Sequence, residues 1–410
     1  MTETKTQSTE TQNLTHQLFE AIHAYDADGV RKSIEQGADV NQRDPLDWYG
    51  LGSPPVHFAC GRAINQLRSL EIIETLLVAG ADPNEMGDEF TGETAIHYTA
   101  KVDNPEEMRL LVNHGADITA LSNQGDTPMA TALKSLQVSQ VAVLQELGIS
   151  INTPVGAYSS GIVCAINAQK NNVLRQYLEM GADPNFSPSG GESPLMACVK
   201  EGRVESIRIL LAAGADINAV TSYGNTFLHY IAREIYAREN LIPLALDAGA
   251  DPNAQNETGE TPLMVAILSY NRGVIDKLYH HSNLRLTDYE GNTIWHHVIR
   301  TQDVNLIEHI FEESMGVVYQ DPVVETGEFS LEEWRDFLNQ PNENLTTPRQ
   351  IAESFENTEI RDTVEYCILF AEKYDITRPE TIEPQMDEEE ARDNQENPEN
   401  PEIPENQENP

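Results

Sequence analysis

Apolar positions along this chain fall into short paired runs. In one stretch, "PLMACVKEG" (residues 194–202) is followed by "RVESIRILLAAG" (residues 203–214), where Val204, Ile207, Leu210 and Leu211 recur three or four apart with Ile209 between them. That spacing predicts two amphipathic helices joined by a tight turn. Gly214 ends the second helix, because glycine reaches the left-handed conformation without steric cost. The "ADIN" that follows predicts an extended turn toward the next pair of helices.

The pattern returns throughout the chain. The ending "LLVAGADPN" (residues 76–84) recurs as "MGADPN" (180–185), "LLAAGADIN" (210–218) and "AGADPN" (248–253), with looser copies "QGADVN", "HGADIT" and "LGISIN". Their glycines, Gly37, Gly80, Gly115, Gly148, Gly181, Gly214 and Gly249, are 43, 35, 33, 33, 33 and 35 residues apart. A period near 33 marks a repeat architecture. A second element sits about a dozen residues after each glycine: "PPVHFA", "ETAIHYTA", "DTPMATAL", "ESPLMACV", "NTFLHYIA", "ETPLMVAI" and "NTIWHHVI". Thr or Ser there caps the free amides of a helix start, and Pro fits the first turn, where no amide bond is missed. Neither helix of a pair can bury its apolar side alone, so stacking on neighbours must supply the core.

The Thr-Pro-Leu-His-like start, the Leu-Leu-x-x-Gly-Ala-Asp-x-Asn end and their phase resemble the ankyrin-repeat family. The resemblance covers residues 14–374 and implies an all-α solenoid of about ten helix-turn-helix units with hairpin-like fingers between them. Residues 1–13 are expected to be disordered, residues 14–375 to form the solenoid with an insertion at about 317–346, and residues 376–410 to be a disordered acidic tail rich in Pro, Glu and Asn. Some units depart from the pattern. The fifth has Gly161 where Pro is expected, the eighth ends "YHHSNLRL" with no Gly-Ala-Asp, and 31 residues separate Gly316 from Thr347. The region 282–346 therefore reads as a weak joint or a looped-out segment, with a short helix over residues 330–338 whose Trp334 and Phe337 share one face that either packs on the solenoid or meets a partner.

Composition narrows the partners. With 26 basic against 67 acidic residues, a net charge of −41, the chain repels phosphate backbones and anionic lipid, so neither nucleic acid nor membrane is expected. No apolar run approaches the roughly 18 residues of a membrane span, and the polar start "MTETKTQSTETQN" is no secretory signal. The four cysteines, Cys60, Cys164, Cys198 and Cys367, are scattered, which predicts free thiols in a reducing, cytoplasmic setting. A monomer is expected.

Catalytic chemistry is not written here. His57, His97, His229 and His296 all occupy the fourth position of the helix-start motif, where the resemblance implies local hydrogen bonding. His57 with Cys60, or His280 with His281, supplies at most two ligands where a structural zinc needs four, so no metal is expected. Nucleotide, nucleophile-elbow and zinc-protease motifs are absent, and no cofactor or enzyme activity is expected.

What a stack of this kind offers is surface. Several finger tips carry an aromatic ring where a polar residue would serve a turn: Trp48 and Tyr49, Phe90, Tyr158, Phe186, Tyr223 and Tyr289. If the fingers project in one row, these rings form an interrupted aromatic edge, and with Trp334 and Phe337 they are the candidate partner-binding residues. The alternative is that each ring folds back on its neighbouring finger. Acidic residues flank many of the rings, as in "GDEF" and "TDYE", favouring a basic protein partner.

Residues 376–410 hold 12 acidic and two basic residues with six prolines. Their "DEEE" resembles export signals of bacterial proteins delivered into host cells by type IV secretion, among which ankyrin repeats are common. The sequence therefore points to a non-enzymatic protein-interaction scaffold, with a tail that reads either as a solubilising extension or as an export signal for delivery into a eukaryotic host. Two alternatives stand beside it: a regulatory subunit or enzyme-associated module using the 317–346 insertion, and an intracellular scaffold with no host involvement.

Overall fold

A computed structural model describes residues 2–43, 52–60, 66–157, 159–188, 191–234, 239–315 and 336–375. The paired runs are paired helices, such as Pro194–Val199 with Val204–Ala212 and Pro262–Leu268 with Arg272–Leu278. First helices open on capped turns. Thr127 accepts from the Ala130 amide, Ser193 from Met196 and Thr261 from Met264, with Pro128, Pro194 and Pro262 each starting the helix. Gly161 does not disturb its unit, because Ser160 supplies the cap to the Val163 amide and the helix Gly161–Asn167 forms as in its neighbours.

Second helices close on left-handed glycine: Gly214 has φ +88° and the Ala215 amide returns to the Leu210 carbonyl at 2.9 Å. The eighth unit finds another ending. After Leu278 a 3-10 turn, Tyr279–His281, follows, and Ser282 Oγ donates to the Leu278 carbonyl at 2.8 Å. The missing glycine is replaced by a tightened turn.

Between the helix layers lie the apolar positions of the sequence pattern. Leu111, Leu144, Leu174, Leu210 and Leu278 are each fully buried, and each such side chain contributes about 1.5–3 kcal/mol relative to exposure. Successive first helices pack on one another, as do successive second helices. Among the described residues the only strand-like pairing is two isolated bridges, Met86 with Thr94 and Val155 with Ser159. The architecture is all-α.

The chain divides into two compact units, one of residues 1–301 and 341–346, the other of residues 302–340 and 347–410. In the second, helix Val304–Met315 packs on Thr358–Asp375, and Pro348–Ser354 packs on that same helix. Two expectations change. The first helix is Thr2–His23, so residues 2–13 extend it instead of forming a disordered lead; "TETKTQSTETQN" has no Pro or Gly to stop a helix that starts ahead of Leu14. Residues 336–339 are helical where a helix over 330–338 was expected, and Phe337 is buried with Leu338 at 8% and 2% exposure. A ring so covered presents no face to a partner. Trp334 and most of the 317–346 insertion, like the 376–410 tail, lie outside the described residues.

Candidate functional site

The extended turns between units are built by one repeated scheme. The Thr221 amide meets the Asn225 carbonyl at 3.1 Å, and the same closure joins Asn256 to Glu260, Asp288 to Asn292 and Asn342 to Thr346. Within three of them a glycine turns the chain: Gly224, Gly259 and Gly291 have φ of +71°, +81° and +76°. These four loops, residues 221–225, 256–260, 288–292 and 342–346, are fingers. They are tied together in order: Glu257 donates its amide to the Tyr223 carbonyl at 3.0 Å, Tyr289 to Thr258 at 3.1 Å and Glu343 to Glu290 at 2.8 Å. The ties continue to residue 343, so within the first unit the expected break does not appear among the fingers.

Two further sets of bonds fix the fingers to the helices. Asparagines of the Gly-Ala-Asp-x-Asn ending bridge to the next unit: Asn218 Nδ2 donates to the Gly249 carbonyl at 2.9 Å while its Oδ1 accepts from the Asp251 amide at 2.9 Å. Asn84 does the same to Gly115 and Asp117. In the eighth unit Asn283 takes the aspartate's place and donates to Asn253 Oδ1 at 2.6 Å.

The motif histidines form the second set. His97 Nδ1 accepts from the Thr94 amide at 3.2 Å, and its Nε2 reaches the Asp126 carbonyl of the next unit at 3.1 Å. A carbonyl only accepts, so Nε2 carries the proton and the ring is neutral. His229 and His296 repeat this with Thr226 and Glu260, and with Thr293 and Thr346. Burial pushes all three rings below the ordinary histidine value, His296 to about 4. His57 differs. It is buried, its pKa is lowered to about 4 by burial and by Arg43, yet neither ring nitrogen has a hydrogen-bond partner. The Glu93 and Glu85 carbonyls are near enough to favour the charged ring, but neither reaches it with hydrogen-bond geometry.

At the tips, Phe90, Tyr223 and Tyr289 are 81%, 70% and 62% exposed. Phe186 is half-buried and lines a crevice with Leu133, Ile151 and Tyr177. Trp48, Tyr49 and Tyr158 lie outside the described residues. Sequence reasoning missed the exposed aliphatic tips Leu121, Val220 and Leu345, at 64%, 62% and 80%. They stand among polar turn residues and break the amphipathic pattern, which was the available signal. It also missed the pair at the base of the 288–292 finger, where His297 Nε2 lies 3.0 Å from Asp288 Oδ2, both residues buried. Burial pushes the Asp288 carboxyl up, but the nearby His297 ring and the bonds from Asn292 outweigh it and hold its pKa at about 2.

Cys60, Cys198 and Cys367 are buried free thiols, and burial pushes Cys198 and Cys367 up to about 12. Among the described residues no group of three or more His, Cys, Asp or Glu side chains is placed to hold a metal ion. No described helix is long and apolar enough to cross a membrane.

The comparisons with known proteins agree with this geometry. The family model for ankyrin repeats matches in three copies, over residues 61–154 and 162–242. Relatives include a mouse B-cell lymphoma 3 protein homolog, 28% identical over 55% of this chain and 50% of that protein. The human SH3 and multiple ankyrin repeat domains protein 2 is 27% identical over 55% of this chain and 12% of its own length. The E3 ubiquitin-protein ligase KEG of Arabidopsis thaliana is 26% identical over 68% and 17%. The chain thus matches half or less of the length of these relatives. Repeated helix pairs, capped starts, glycine endings, bridging histidines and the matching family model lead to one identification: this chain is an ankyrin-repeat protein.

Proposed function

We propose that the chain is a non-enzymatic protein-binding scaffold that engages its partner along the finger edge and the adjoining concave face. The observation that carries this reading is the exposure of Phe90, Tyr223 and Tyr289 on turns each tied to a neighbouring turn: the Thr91 carbonyl accepts from the Asn123 amide at 2.8 Å, the Tyr223 carbonyl from Glu257, and the Tyr289 amide donates to Thr258. Large rings held in solvent on a rigid support lose little freedom when a partner covers them, and that favours them as anchors. Exposed Glu89, Glu257, Glu290 and Glu343 beside these rings, with a net charge of −41, favour a basic partner and oppose self-association, so the scaffold acts as a monomer. Four free cysteines fit action in a reducing cytoplasm.

The test is capture from cell lysate on the intact chain and on a Phe90→Ala, Tyr223→Ala variant. Each lost anchor costs about 1–2 kcal/mol, so proteins held by the wild type should be retained at least tenfold less by the variant, roughly speaking, while its circular dichroism is unchanged. Equal capture by two equally folded proteins would move the binding surface elsewhere.

A further inference from the structure

The four linked fingers place Glu257, Tyr289 and Glu343 in equivalent positions, each donating its amide to the finger before it. Tyr289 is seated on the finger before it. A Cβ at residue 259 would fall 2.5 Å from the Tyr289 nitrogen and 2.6 Å from its Cδ1, so the ring rests against the preceding finger only because residue 259 is glycine. Its finger is stiffened by Asp288, whose Oδ1 accepts the Glu290 and Asn292 amides at 2.9 and 2.8 Å. The rest of the ring faces solvent, and exposed carboxylates stand on both neighbouring fingers.

We propose that Tyr289, seated on Gly259 between Glu257 and Glu343, binds an arginine side chain of an extended basic segment of a partner protein. This rests on the finger edge being the binding surface and names what that edge recognises. A guanidinium is planar, stacks on an aromatic face and donates from its rim, so one group satisfies the ring and the carboxylates together. A lysine ammonium carries the same charge but cannot stack flat. Two other occupants fail on charge. The chain's own residues 376–410 carry 12 acidic against two basic residues, and a second copy brings another net −41.

The experiment uses fluorescein-labelled tetra-arginine and tetra-lysine peptides, titrated with the intact chain and followed by fluorescence anisotropy. The tail attracts both peptides and is common to every variant, so the readout is the ratio of the two affinities. Wild type should favour the arginine peptide by about three- to fivefold. Tyr289→Leu should bring the ratio to one, Tyr289→Phe should keep it, and Glu257→Gln with Glu343→Gln should weaken both peptides. Each variant is checked by thermal melting; should Tyr289→Leu fail to fold, Tyr289→Asn, which also removes the ring at this exposed turn, takes its place with the same expected ratio of one. Equal affinities in wild type, or a preference that survives Tyr289→Leu, would overturn the site. If the arginine preference is absent while capture still depends on Phe90 and Tyr223, the site falls and the finger edge stands. Loss of both overturns the edge as well.

Discussion

One residue separates His57 from its counterparts. Where His97 faces Thr94, and His229 faces Thr226, His57 faces Pro54, which has neither an amide hydrogen nor a hydroxyl to offer. The buried ring is left without a partner on that side. Pro54 sits at φ −61° and ψ 156°, close to the extended conformation of Thr94, so a threonine fits the backbone. Pro54→Thr should therefore stabilise the chain. Satisfying a buried group is worth about 1–3 kcal/mol, partly offset by roughly 0.4–1 kcal/mol from the freer unfolded chain. The expected outcome is a higher melting temperature; a lower one would mean that His57 is satisfied in another way. The histidine's place in the motif was legible in the sequence. Its isolation was legible only in hindsight, because "PPVH" reads as an acceptable helix start until the partner of Nδ1 is asked for.

At the scale of elements, each bridging histidine joins a cap in one unit to a carbonyl in the next, so protonation loosens a junction between repeats. His296 has a folded pKa of about 4 against an ordinary 6.5, so between these values the unfolded chain binds more protons than the folded one. Stability that is fully present above pH 6.5 is then lost progressively as the pH falls toward 4. Relief of the net negative charge acts in the opposite sense, and a variant separates the two. Gln350 occupies the histidine position in the last repeat and accepts from the Thr347 amide at 2.9 Å, so His296→Gln keeps the cap and removes the titration. Melting temperatures of that variant should fall less steeply between pH 6.5 and 4 than those of wild type. Parallel profiles would show that His296 does not govern this window. The repeat period made these elements readable in advance. The eighth ending was not, because a 3-10 turn leaves no glycine to mark it, and the N-terminal helix was not, because polar residues without a breaker follow whatever their apolar neighbours begin.

Over the whole molecule, the aromatic tips were legible as rings placed where a turn needs none, and Phe90, Tyr223 and Tyr289 do stand exposed on their fingers. For Phe337 the structure chooses packing over partner contact, a choice the sequence could not make because periodicity shows that a helix has an apolar face but not what covers it. The seat of Tyr289 on Gly259 lay beyond the sequence altogether, since it depends on the approach of two fingers thirty residues apart. The central claim is that these fingers are the binding surface. It is tested most directly by hydrogen exchange on the intact chain, alone and with a protein that wild type captures and the Phe90→Ala, Tyr223→Ala variant does not. The fingers at residues 221–225, 256–260, 288–292 and 342–346, and residues 88–92 around Phe90, should gain protection on binding while the second helices, such as Val204–Ala212, remain unchanged. Protection confined to the second helices, with the fingers exchanging as in the free chain, would contradict it.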